Sequence, residues 1–307
     1  MEIILNQPYS FCQLGKRGNQ EDARFPDDNV PQCYKAAFVV CDGVGGQDKG
    51  EVASRTVADA FGEYLENIDL SKPFTDEDFS RVLGFAFDAL QKRMNSDSKQ
   101  MATTLAFVCF HSEGVFMAHI GDSRIYHIRP HVGILYQSED HSLVNALVHS
   151  GNITPEEAIN HPQGNVITRC IGYVAPGRNR PTATTYNIND VEAGDYFFLC
   201  SDGVFHKVDD SKLISILASD KSDKDKLGYI ANLSKNSSDN NTAYLIGVKD
   251  VLIELGDTVK SDAEESSTST QSITTVPLQY KQPIVREVEP SDQKSSRFFQ
   301  LIKKLFK

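Results

Sequence analysis

The chain has 307 residues and a formal charge of −11. That length suits one large domain or two small ones, and the acidity disfavours nucleic acid as a main partner, because phosphate backbones want a basic surface. No run reaches the roughly 18 apolar residues that a membrane span needs, and Met1–Asn6 lacks the basic and apolar stretches of a signal peptide. The six cysteines, Cys12, Cys33, Cys41, Cys109, Cys170 and Cys200, form no CxxC pair. That argues against zinc and for a reduced, cytoplasmic setting.

Residues 2–14 alternate loosely and read as an opening strand. The polar loop Gly15-Lys16-Arg17-Gly18-Asn19-Gln20-Glu21-Asp22 follows. Arg17 could hold a phosphoryl oxygen with its planar fork, and Glu21 or Asp22 could reach a cation. A solvated turn of mixed charge is the plainer reading of the loop taken alone. The apolar run Ala36–Cys41 then reads as a buried strand that ends at Asp42-Gly43-Val44-Gly45-Gly46. Glycines there let the backbone approach a ligand and turn a carbonyl toward it. A carboxylate and a free carbonyl at one point make a hard oxygen site suited to Mg²⁺ or Mn²⁺. A strand ending in Asp-Gly is more often a plain turn, but this chain repeats the pattern.

Helical spacing of Val52, Ala53, Thr56, Val57, Ala60, Phe61, Tyr64 and Leu65 predicts a helix from Gly50. A second helix is expected from about Asp76 to Met94. Thr103–Phe110 and Val115–Ile120 read as a strand pair ending in Gly121-Asp122-Ser123-Arg124, and Ile125–Arg129 as another strand. Ser142 or Asp140 can cap a helix that Gly151 ends, and Thr154-Pro155-Glu156-Glu157 opens a second. This helical insertion is a candidate substrate-facing flap. Its histidines, His141, His149 and His161, are not at metal-binding spacing. Tyr196–Cys200 repeats the earlier pattern and delivers Ser201-Asp202-Gly203. A helix with Leu213, Ile214, Ile216 and Leu217 follows, and Asp239 stands just before a last strand over Ala243–Val248.

Residues 256–295 are rich in Ser, Thr and charged residues and bury too little apolar surface to offset ordering entropy, so they read as a flexible linker. Residues 296–307 place Phe298, Leu301, Ile302 and Leu305 on one helical face. From 295 to the end the charge is +4, which leaves −15 on the rest. A short basic amphipathic helix on a tether suits a membrane surface, a partner, or its own domain.

These motifs, in this order, resemble the metal-dependent Ser/Thr protein phosphatases of type 2C, and their bacterial branch most. The resemblance rests on Arg17…Asn19-Gln20-Glu21-Asp22, Asp42-Gly43-Val44-Gly45-Gly46, Gly50-Glu51-Val52-Ala53-Ser54, Ala102-Thr103-Thr104 and Gly121-Asp122-Ser123-Arg124. It continues through Asp140-His141-Ser142-Leu143, Gly151-Asn152-Ile153-Thr154, His161-Pro162, Ser201-Asp202-Gly203 and Asp239-Asn240…Thr242, and covers about residues 9–249.

The resemblance implies an α+β fold, a four-layer αββα sandwich of two antiparallel sheets flanked by helices, with a small helical flap. It divides the chain into a catalytic domain over 1–255, the linker 256–295 and the terminal helix 296–307. It implies two Mn²⁺ or Mg²⁺ ions, with room for a third, weaker one. Asp42 would bridge the two. Glu21 and the Gly43 carbonyl would serve one, and Asp202 and Asp239 the other. Asp122 matches a residue that helps hold the third, and Arg17 matches the arginine that grips the substrate phosphate. The implied partners are phosphoprotein substrates, a Ser/Thr kinase among them.

The chain departs from the pattern in two respects. Many relatives carry His directly after the Asp-Gly pair or a few residues later, where this chain has Val44 and Gln47. If that His protonates the leaving alcohol, water or another acid must do so here. Ala102 replaces the usual Gly before the paired threonines. The leading expectation is a phosphoserine/phosphothreonine phosphatase. The alternatives are a catalytically weak phosphoprotein- or kinase-binding module of the same fold and a hydrolase of small phosphate esters. A dead relative is expected to lose one of Glu21, Asp42, Asp202 or Asp239, and all four are present.

Overall fold

Strand β4 (Ala37–Val44) shows how the layers arise. Successive side chains of a strand point to opposite faces. Ala37, Val39 and Cys41 enter one apolar core and Phe38 and Val40 enter another. Because both faces are covered, the strand is apolar without interruption. The computed structural model describes residues 1–28, 36–44, 49–94 and 101–253. Gly45, Gly46, Gln47, Cys33, the linker 256–295 and the segment 296–307 lie outside the described residues.

One sheet is built around β4. On one side of it lie β5 (Ala102–Thr103) and β10 (Ile171–Gly172). On the other lie β6 (Leu105–His111), β7 (Gly114–Ile120) and β11 (Thr184–Ile188), and β3 (Asp22–Phe25) also pairs with β4. The second sheet runs β1 (Glu2–Leu5), β13 (Asn241–Leu252), β12 (Tyr196–Cys200), β8 (Arg124–Arg129) and β9 (Gly133–Gln137), with β2 (Tyr9–Gln13) also on β13. The pairings of both sheets are antiparallel.

Three cores follow. Helices α1 (Gly50–Leu65) and α2 (Asp76–Arg93) pack Val57, Phe61, Phe79 and Val82 on the outer face of the first sheet. Phe38, Val108, Phe197 and Tyr244 fill the space between the sheets. Helices α5 (Asp202–Phe205), α6 (Asp210–Leu217) and α7 (Asp223–Ser234) cover the second sheet over Phe198, Leu213, Leu227 and Ile230. This is the expected four-layer sandwich. A capping box between Thr75 and Asp78 starts α2 at the residue that the spacing indicates.

Some elements differ from the sequence expectation. The opening strand is two strands, β1 and β2, broken at Asn6-Gln7-Pro8. Pro8 cannot donate to a ladder, and Asn6 instead donates its side-chain amide to Asp223. The strand expected over Thr103–Phe110 is divided at Thr104 into β5 and β6. Strands β9 and β11 and helix α7 are additions. The two strands are partly exposed along most or all of their length and show no clean alternation, and α7 buries Lys226 beside its apolar residues, which blurs its periodicity. In the insertion, α3 (Leu143–His149) is capped by Ser142 rather than Asp140, and α4 (Pro155–Ile159) has the expected capping box at Thr154 and Glu157.

Candidate metal centre

The inter-sheet face changes chemistry along its length. On β4 it reads Phe38, Val40 and then Asp42. Along β12 it reads Phe197 and Leu199, with Ser201 just past the strand's end, and on β13 it reads Ile246, Tyr244 and then Thr242. Asp22 of β3 lies directly opposite Asp42, and opposed residues of a strand pair share a face. The apolar layer between the sheets thus ends in carboxylates and hydroxyls.

Of Glu21 and Asp22, the structure separates the roles. Asp22 is buried, and its Oδ2 accepts from Ser201 Oγ at 2.7 Å. Glu21 is half-buried and reaches toward Gly50. A Cβ added at Gly50 would stand 2.9 Å from Glu21 Oε2 and 3.1 Å from the Gly43 carbonyl oxygen. The bare glycine leaves open the space that this carboxylate and carbonyl share.

Backbone bonds hold Asp42 rigidly. Its N–H donates to Thr104 Oγ1 at 2.9 Å, and its carbonyl accepts from Thr103 Oγ1 and Thr104 N, each at 2.9 Å. Thr104 Oγ1 also lies 2.6 Å from Ser123 Oγ, which ties the strand to the turn of Asp122. Asn240 organises the other side. Its Oδ1 accepts from Glu21 N at 2.8 Å, and its Nδ2 donates to Leu14 O and Asn19 O. Asp202 opens α5, and Arg17 pairs with Asp239 at 2.6 Å while remaining more than half exposed.

The carboxylates act on one another. Burial, then Asp22, Asp202, Asp122 and Asp239, push the Asp42 carboxyl well above the usual range. Burial and Asp239 push Asp202 up to about 6. Burial, then Asp202 and Asp140, push Asp122 up to about 7. Asp22 is raised to about 7 by burial, against the hydroxyl of Ser201. Glu21 is raised by burial and then by Glu51. Clustered carboxylates of raised pKa are relieved by a cation. Asp202 Oδ1 and Asp22 Oδ1 are buried with no hydrogen-bond partner. Hard oxygen donors, an open cradle and orphaned carboxylate oxygens fit a divalent ion. Among the described residues, no three acidic, His or Cys side chains close on one point at ligating distance; Asp239 is engaged by Arg17 instead.

Every site residue that the sequence suggested is described, and Arg17, Glu21, Asp42, Gly43, Asp122, Asp202 and Asp239 converge on this end of the sandwich by contact or by charge. Sequence reasoning missed His206, whose Nδ1 lies 3.8 Å from Asp202 Oδ2; its spacing four residues after Asp202 was the available signal. It also missed the hub role of Asn240, for which only adjacency to Asp239 was visible. A groove of about 310 Å³ lies next to β5, lined in part by Met101, Ala102, Arg169, Cys170 and Tyr173. Ala102 is the register partner of Val44, so the groove is one strand from the Asp42-Gly43 corner.

The profile of the protein phosphatase 2C family matches residues 20–228. The chain belongs to that family. The protein phosphatase PhpP of Streptococcus pneumoniae is 30% identical over 76% of this chain and 94% of its own length. The serine/threonine phosphatase Stp1 of Staphylococcus aureus superposes with a TM-score of 0.67 at 31% identity, covering 81% of this chain and 98% of that one. The catalytic domain of the phosphatase PstP, named in Mycobacterium tuberculosis, has been solved with two manganese ions. It superposes with a TM-score of 0.64 at 27% identity, covering 81% of this chain and 100% of that one. Among the described residues, no helix is long and apolar enough to cross a membrane.

Proposed function

We propose that this chain is a phosphoprotein phosphatase that hydrolyses phosphoserine and phosphothreonine with two Mn²⁺ or Mg²⁺ ions. The observation that carries the reading is the acidic end of the inter-sheet layer, where Asp22 lies opposite Asp42 and Asp22 Oδ1 and Asp202 Oδ1 are buried with no hydrogen-bond partner. The relatives' names and the two manganese ions of the PstP structure support it. Asp42 would hold both ions, Glu21 and the Gly43 carbonyl would help hold one, Asp202 and Asp239 the other, and Asp122 a third, weaker one. When bound, the ions activate water for in-line attack on phosphorus and offset the phosphoryl charge.

The chain's own groups do the rest. The exposed Arg17 guanidinium binds phosphoryl oxygens with its planar fork. The Thr103–Thr104 pair and Asn240 hold Asp42 and Glu21 in place, which spares reorganisation as charge moves. Val44 has no proton to give, so the leaving alcohol takes its proton from water or from another acid.

The catalytic domain spans residues 1–255, with the linker 256–295 and the docking segment 296–307 assigned from sequence. Phosphoserine and phosphothreonine must be supplied by a kinase reaction, so a Ser/Thr kinase and its targets are the natural partners. The five described cysteines are free thiols, which suits the cytoplasm, with 296–307 as a route to the membrane surface. The deciding experiment is phosphate release from a phosphothreonine peptide with Mn²⁺ and with EDTA, for wild type and Asp202→Asn. Activity that needs Mn²⁺ and collapses in the variant is expected. A folded, Mn²⁺-binding wild type with no activity would replace this reading with the binding module.

A further inference from the structure

The buried residues of helix α1 include Ala53, Val57, Ala58, Phe61 and Leu65, and Ser54 is the one among them with a polar side chain. Ser54 is fully buried, and a buried hydroxyl is costly unless it is bonded. A serine inside a helix commonly bonds back to a carbonyl one turn earlier. Here the Glu51 carbonyl lies 3.4 Å from Ser54 Oγ, whereas the Glu21 carbonyl, outside the helix, lies at 2.5 Å. The hydroxyl thus donates chiefly out of α1, to the residue whose carboxylate reaches toward Gly50.

The Glu21 carbonyl is a junction. It also accepts from Gly43 N at 3.0 Å, so both of its lone pairs are used. On the other side of the residue, Glu21 N donates to Asn240 Oδ1 at 2.8 Å. Helix α1, strand β4 and the residue before β13 thus hold the Glu21 backbone from three directions. The approach is close enough to require glycine. A Cβ on Gly43 would stand 2.6 Å from the Glu21 carbonyl oxygen and 2.5 Å from the Gly50 carbonyl. With its backbone fixed in this way, Glu21 has only its side chain left to move, and that side chain shares the Gly50 cradle with the Gly43 carbonyl.

We propose that Ser54 is a positioning residue: its hydroxyl braces the Glu21 carbonyl, and through it the Glu21 carboxylate and the Gly43 carbonyl that together serve one of the two ions. Removing the hydroxyl leaves the junction with the Gly43 bond alone, so the loss falls on the ion of Glu21 and Gly43 and spares the ion of Asp202 and Asp239. That selectivity rests on the two-metal reading; the hydrogen bonds do not. Ser54 touches neither ion nor substrate and acts through Glu21, as groups that orient metal ligands do.

The test is calorimetric Mn²⁺ titration of the full chain, wild type against Ser54→Ala. One binding step is expected to weaken about tenfold in the variant and the other to stay within about twofold of wild type. A merely structural hydroxyl would lower the melting point in EDTA and leave the titration unchanged or shift every step alike; either titration would overturn the proposal. Two further backgrounds show the route. The loss caused by Ser54→Ala is expected to shrink to about threefold or less in Glu21→Gln and to stay about tenfold in Asp239→Asn. Equal losses in the two backgrounds would overturn the proposal. The wild type gives a readout that needs no variant to fold. Its Ser54 hydroxyl proton, followed by NMR in EDTA, is expected to exchange slowly, and a freely exchanging proton would overturn the bond itself. Failure of the phosphatase reading would show separately, as a wild type that releases no phosphate while its Mn²⁺ steps and its Ser54 proton behave as expected.

Discussion

Replacing Thr104 by Val tests whether the acidic corner is held from behind. Thr104 is fully buried. Its hydroxyl accepts from the Asp42 N–H at 2.9 Å and meets Ser123 Oγ at 2.6 Å. Val keeps the shape, and its methyl groups still pack on Gly121, but the Asp42 amide and the Ser123 hydroxyl lose this partner inside the protein. Each such orphan costs about 1–3 kcal/mol, so the variant is expected to lose about 2–6 kcal/mol. For a domain of this size each kcal/mol lowers Tm by about 2–4 °C, giving a fall on the order of 10 °C. Thr104→Ser keeps the hydroxyl and removes one methyl, worth about 0.8 kcal/mol. Urea titration and calorimetry of wild type, Ser and Val, each with EDTA and with Mn²⁺, read the difference. Mn²⁺-dependent phosphate release at low temperature, where Val remains folded, should fall in Val and persist in Ser. Equal stability of Ser and Val would refute the argument, because packing rather than the hydroxyl would then be what matters.

In Gly50→Ala the new methyl would crowd Glu21 Oε2 and the Gly43 carbonyl, so Mn²⁺ affinity is expected to drop about tenfold. The melting point in EDTA should barely move; a variant that binds Mn²⁺ as wild type does would remove Glu21 and Gly43 from the site. Arg17→Lys keeps the charge but loses the planar fork, and KM for a phosphopeptide should rise by about tenfold with a smaller change in kcat. An unchanged KM would take Arg17 off the phosphate. The metal-free protein should grow more stable as pH falls. Asp22, Asp122 and Asp202 have folded pKa values of about 7, 7 and 6 against 3.8, so the folded state binds the extra protons and that stabilisation is lost as pH rises through 6 to 7. Thermal melting between pH 5 and 8 in EDTA would show it, and Mn²⁺ should remove the trend; a Tm that climbs with pH in EDTA would contradict the assigned pKa shifts.

Much of this protein was legible before folding was considered. Continuous apolar runs such as Ala37–Cys41 and Tyr196–Cys200 mark strands covered on both faces, and the Asp-Gly pairs that end them mark where the core gives way to chemistry. Helical spacing over α1 and α2 is an equally local property, because 3.6-residue periodicity needs no knowledge of the partner. Strands β9 and β11 were hidden because partly exposed strands carry no clean alternation, and α7 because its buried face includes Lys226.

Which of two adjacent acids faces the open corner is a different kind of fact. Glu21 and Asp22 look interchangeable along the chain. Register with β4 turns Asp22 into the inter-sheet layer, where Ser201 holds it, and leaves Glu21 facing Gly50. Likewise His206 acquires Asp202 as a neighbour, Asn240 gathers the loop of Leu14 and Asn19, and His141 meets Gly121 only once the chain is packed. Periodicity and turn chemistry are read from residues a few places apart, so they marked most strands and helices and the acidic strand ends, while the four-layer sandwich followed from the family resemblance. Charge coupling and hydrogen-bond partners depend on separations through space, and those the tertiary structure alone decided.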